Sequence, residues 1–224
     1  MFSRMREMSK SVLGRVLFVV ALVIAFVVAR EFKTQWFESR AMQEAGERAT
    51  DKTEQEIKSA QTHATLDKST TEVLVDKAHR SAAAAVSSAK STKDKLVAAS
   101  NFFFGAYFLN TRTRAQHCAS LGVQIKSFTI AYEEVHRELF VSAESIQVID
   151  FKEHGRHYDI DKFYQLVAPS STKFIAQEMR DAAASLSMSE RDLCQSFEQN
   201  SADWVKEMDY RKRAPEIAQL LLQR

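Results

Sequence analysis

From Val16 to Ala29 the chain runs without a single polar residue. So apolar a stretch suits two surroundings, the hydrocarbon of a bilayer or the interior of a protein, because each large side chain left in water forgoes roughly 1.5–3 kcal/mol of burial. Extended back to Val12, it covers roughly 27 Å as a helix, close to the roughly 30 Å hydrocarbon thickness of a bilayer. Arg15 falls near one end, where its long stem lets the guanidinium reach the surface. Trp36 and Phe37 follow where interfacial aromatics are expected. Charged segments on both sides argue against a helix buried in a soluble core.

The expectation is a basic tail over residues 1–11 and a single-pass transmembrane helix, a signal anchor, over residues 12–30. Its lipid-facing residues are Val16, Leu17, Phe18, Val19, Val20, Leu22, Val23, Ile24, Phe26, Val27 and Val28. A cleavable signal peptide ending near Val27-Val28-Ala29 is the competing reading. Arg4, Arg6, Lys10 and Arg15 precede the run, and Arg30, Lys33 and Arg40 follow it. That slight bias keeps the N-terminus in the cytoplasm and places the C-terminal part outside, in the periplasm if the source is a Gram-negative bacterium.

Beyond the run, 5 glycines and 2 prolines in 224 residues leave few turn signals, so the chain reads as all-α. Residues 31–95 are rich in Ala, Ser, Thr, Lys, Glu and Gln. Ala60, Ala64, Thr71, Leu74, Ala78, Ala82, Ala85, Ala89 and Leu96 can be fitted to one thin helical stripe, a weak coiled-coil seam at best. The segment reads as a polar helical stalk, with a solvated linker as the alternative.

Residues 96–224 read as a helical bundle. The apolar stretch Leu96–Leu109 is too short for a comfortable span and fits a core helix, with an interfacial membrane contact as the alternative. Gly122 suits a helix C-cap, and Phe128, Tyr132, Val135, Leu139, Ala143 and Ile146 repeat at helical spacing. Residues 150–161 read as a polar loop. Pro169 followed by Ser170-Ser171-Thr172 predicts a helix start, Ser187 and Glu190 have capping-box spacing, and Pro215 suits a first helical turn.

Cys118 and Cys194 each fall on the apolar face of a separate predicted helix, so in an exported domain they are expected to form a disulfide. Residue types suited to a transition metal concentrate only around His154, His157, Asp159 and Asp161, with no diagnostic spacing. Glu133 and His136 form a single Glu-x-x-His, half of what a di-iron bundle uses. The chain has no Gly-x-Ser-x-Gly, phosphate-binding glycine loop or His-Glu-x-x-His, and no cofactor is implied. A net charge of +2 gives no excess to attract a phosphate backbone, so nucleic acid is not an expected partner.

The expected function is that of a noncatalytic, membrane-anchored protein, held by lipid contact through the N-terminal helix. Its distal helical domain would meet a protein partner, another copy of itself or an envelope structure. The alternatives are a ligand-binding, metal-binding or enzymatic domain using the 154–161 loop, and a membrane-surface protein contacting lipid through residues 96–109.

Overall fold

The computed structural model describes residues 44, 47, 48, 50–65 and 69–223, the side chain of His79 excepted. The apolar run and its orientation therefore lie outside the described residues. Among the described residues no helix is long and apolar enough to cross a membrane.

The all-α expectation holds for the described chain. Residues 50–63 are helical (α1). They are followed by α2 (Thr70–Ser88), α3 (Thr92–Phe108), a π turn (Leu109–Thr113), α4 (Arg114–Ser120), α5 (Lys126–Glu153) and α6 (Ile160–Ser185). Four short helices end the fold: α7 (Glu190–Gln199), α8 (Ser201–Glu207), α9 (Tyr210–Arg213) and α10 (Pro215–Leu222).

The central helix is α3. Ser91 starts it by accepting the Asp94 amide at 3.1 Å. Ala99, Phe103, Phe104 and Phe108 are completely buried, so Leu96–Leu109 is a core helix. Against it lies α5. Lys93 in the first turn of α3 pairs with Asp150 (3.0 Å), Gln147 reaches Asn101 at its middle (2.9 Å), and Tyr132 meets Asn110 just beyond its end (3.2 Å), so the two helices run antiparallel. Their seam is aromatic: Tyr107 and Phe104 pack against Phe140 at 4.9 and 5.6 Å between ring centroids. Pairs of this kind contribute about 0.5–1.5 kcal/mol beyond the area they bury.

Helix α3 does not stop at Leu109. It passes through the π turn into α4, so residues 92–120 form one helical rod. Two side chains help to satisfy carbonyls there. Asn110 Nδ2 donates to Ala106 O (3.0 Å) and Thr111 Oγ1 to Tyr107 O (2.9 Å). The rod ends at Gly122, whose φ of +77° disfavours a side chain; Gly122 N–H donates to Ala119 O and Val123 N–H to Cys118 O, both at 3.0 Å. Cys118 on α4 and Cys194 on α7 are joined, with Cα atoms 5.6 Å apart and neither residue exposed.

Several boundaries differ from expectation. Helix α6 begins at Ile160 rather than after Pro169, because Asp159 caps it by accepting from Asp161 and Lys162 N–H. Phe163, Tyr164 and Val167, all before the proline, pack on the core, and Pro169 is carried inside the helix. The polar loop shrinks to the short link between Glu153 and Ile160. The cap of α7 is Ser189, accepting from Asp192 N–H, and Ser187 instead adopts a left-handed φ of +53° after α6. Pro215 does open α10.

The largest difference concerns the described part of the expected stalk. Helices α1 and α2 lie against the bundle instead of extending from it. Glu54 pairs with Lys173 (2.7 Å) and Gln61 bonds Gln177 (3.3 Å), which ties α1 to α6. Thr71 ties α2 to Asp181, and Leu74 and Ala82 are buried. An Ala-rich stripe too thin to form a coiled coil is enough to pack on another helix.

Candidate functional site

Where α2 leans over α3, the small side chains of both leave a groove of about 890 Å³. That volume falls within the range of pockets that enclose small ligands. Ala78 and Ala82 form one wall, Gly105 and Ala106 the base, and Pro215 and Ile217 of α10 the opposite side. A Cβ placed on Gly105 would meet nothing within 4 Å, so the space above it is open.

The inner end of the groove is polar. Arg114, 2% exposed, lines it together with Asn110, Glu178 and Tyr132. Arg114 Nη2 donates to Glu178 Oε2 (2.9 Å) and to Asn110 Oδ1 (3.1 Å), and its Nε also reaches Asn110 Oδ1 (3.3 Å). Nη1 meets the Met179 sulfur, a weak acceptor, at 3.3 Å. The guanidinium carbon sits 4.9 Å from the centre of the Phe197 ring. The π turn makes this possible: it changes the helical register between Ala106, which floors the groove, and Arg114, which reaches α6.

Asn110 completes the network by donating to the Tyr132 hydroxyl at 3.2 Å. Burial pushes the Tyr132 phenol up to about 12, against the lowering effect of the Asn110 bond. Tyr210, also on the groove, is raised by burial first and by Tyr132 second. Both phenols therefore hold their protons more tightly than an exposed tyrosine does. The arrangement offers apolar contact, a compensated buried charge and neutral hydroxyls, the features of a binding surface.

The residues singled out in the sequence lie elsewhere. His154 is exposed at the end of α5 with Nδ1 2.7 Å from Asp150 O. Asp159 serves as the cap of α6, Asp161 pairs with Arg112 at 2.7 Å, and His157 is exposed. Among the described residues no group of three or more His, Cys, Asp or Glu side chains gathers as a metal site.

Glu133 and His136 point to different surroundings, the carboxylate outward and the imidazole into the core. His136 Nδ1 lies 2.8 Å from Tyr132 O, and Nε2 accepts from Tyr210 N–H at 3.0 Å. Since the carbonyl only accepts and the amide only donates, the ring is a neutral imidazole protonated at Nδ1. Comparison with protein-family models, curated proteins and solved structures finds no match to this chain.

Arg114, Asn110 and Glu178 escaped sequence reasoning. Asn110 and Arg114 are four apart on a helix, which places them on one side. Nothing local announces a buried charge, because its partner Glu178 is 64 residues away.

Proposed function

We propose that this chain is a noncatalytic, membrane-anchored binding protein, held by Val16–Ala29 and carrying its helical domain outside the membrane. There it engages a component of the envelope through the groove between α2, α3 and α10. The groove is the observation that carries the binding role: an open apolar space floored by Gly105 and Ala106, with polar groups at one end. The Cys118–Cys194 pair supports the compartment, since buried disulfides persist in oxidising surroundings.

Fractionation and thiol mapping of the full chain test this. Detergent, and not high salt, should release it from membranes, because hydrophobic insertion is insensitive to screening. Protein quenched in acid directly from cells should yield the Cys118–Cys194 linked peptide before reduction. Release by salt alone would end the anchor assignment, and two freely alkylated thiols would end the exported one.

A further inference from the structure

We propose that the chain pairs with a second copy of itself through the outer face of α5, the two helices antiparallel about a two-fold axis between the levels of Val135 and His136. This face shares no lining residue with the groove, so the pairing adds to the binding role and does not depend on it. One side of α5 is buried in the bundle and the other stands in water. Along the middle of the exposed side lie Ile130, Val141 and Val148, 62%, 58% and 45% exposed. Their intervals of eleven and seven residues hold them in one line, the spacing of a helix–helix seam.

At Ile130 the surface dips into a hollow of about 260 Å³, framed by Ile130, Glu133, Glu134 and Arg137 with Tyr107 and Phe140 beside them. Four residues spaced in this way on a helix form the hole that receives a knob from a facing helix. The charges select a second copy as the source of that knob. In the antiparallel pair Ile130 lies opposite Val141 of the second copy and Glu134 opposite its Arg137, and the symmetry repeats both contacts. That guanidinium enters the hollow between Glu133 and Glu134, and Lys126 comes level with Glu144 of the second copy. Among the described residues none of these five charged side chains makes an ion pair within its own chain, so the contact supplies partners that each one lacks. Glu138, at the edge of the face, is met by Arg211 of its own chain at 3.6 Å. A parallel pair in register would instead set Glu134 against Glu134 and Arg137 against Arg137.

Cross-linking of the full chain in its own cells tests the assignment. Ile130→Cys and Val141→Cys, expressed together as separate chains, should be joined into a covalent dimer by a short bis-maleimide. Either variant expressed alone should give little dimer, because equivalent positions lie about 16 Å apart along the paired helices. Arg137→Glu, added to both chains, should reduce the cross-linked fraction about tenfold, and so should Glu133→Arg with Glu134→Arg. All three changes together exchange the charges and should restore it. These side chains are exposed, so the bundle does not depend on them.

Dimers formed by either cysteine variant alone at the level of the mixed pair overturn the antiparallel register. No cross-linking in any combination overturns self-association through α5, and cross-linking that survives Arg137→Glu undiminished overturns the charge pairing that fixes the register. A different protein captured by a photoreactive residue at Val141, in place of a second copy, gives this face to another partner and overturns the proposal as well.

Discussion

The backbone N–H and the hydroxyl of Thr71 both donate to one oxygen of Asp181, at 2.9 and 2.7 Å. This contact joins the first turn of α2 to α6 across 110 positions of sequence. Asp181 thereby adds an anion to a helix N-terminus already capped by Ser69 and Glu72. Asp181→Ala should cost about 1–2 kcal/mol, the scale of losing a cap and charged hydrogen bonds. Hydrogen exchange should rise chiefly in α2. Unchanged protection of residues 70–88 would show that side-chain packing alone holds this helix.

The Arg114–Glu178 pair makes a sharper energetic prediction. Glu178→Ala leaves a guanidinium that is almost wholly buried without its counter-ion, and should destabilise by about 3 kcal/mol or more. Replacing both, as Arg114→Met with Glu178→Leu, should recover a large part of that loss, because the desolvation cost of the charge disappears with it. Urea unfolding of Arg114→Met, Glu178→Leu and the double variant, beside the parent chain, gives the coupling directly.

His136 should make stability depend on pH. Burial lowers its affinity for a proton, partly opposed by Tyr132 O and by Asp209, whose carboxylate lies 3.3 Å from Nε2. The unfolded chain then binds the proton more readily than the folded one. Its contribution is fully present above the ordinary histidine value of about 6.5 and is lost as pH falls below it toward the depressed folded value. In His136→Gln, the change in thermal midpoint between neutral pH and mildly acid pH should shrink. An unchanged difference would assign that pH dependence to the carboxylates.

Two backbone substitutions should stabilise the fold. Gly105→Ala adds a methyl where no atom lies within 4 Å and removes a glycine from the interior of α3. A gain of about 0.5–1 kcal/mol follows from helix propensity. Ser187→Gly relieves a side chain held at a φ of +53°, and should raise the denaturant midpoint by a smaller amount because glycine also loosens the unfolded chain. A lower midpoint for either variant would indicate contacts made by the parent residue that outweigh backbone preference.

Reduction of the Cys118–Cys194 bond should lower the thermal midpoint without dissolving the fold. The cysteines are 76 positions apart, and opening a loop of that size forfeits about 4–5 kcal/mol on the chain-entropy model. Calorimetry of the oxidised protein and of a Cys118→Ala, Cys194→Ala variant measures the difference. Equal midpoints would mean that strain or residual structure offsets the constraint on the unfolded chain.

Local features of the sequence determined the helical class, the burial of Phe103, Phe104 and Phe108, the stop at Gly122, the start at Pro215 and the partnership of Cys118 with Cys194. These depend on helical spacing, backbone freedom and the count of cysteines, all of which are written along a single segment. The run Val16–Ala29 likewise states its need for apolar surroundings in composition alone. Tertiary structure alone decided that α2 folds back on Asp181, that α6 runs through Pro169, and that Arg114 is buried against Glu178. Each depends on surfaces brought together from distant parts of the chain, where burial of Phe163 and Val167 or compensation of a charge outweighs a local break signal. The groove is the clearest case: Ala82 and Gly105 are ordinary small residues in sequence, and become a cavity only because two helix backbones stand apart where neither side chain reaches across.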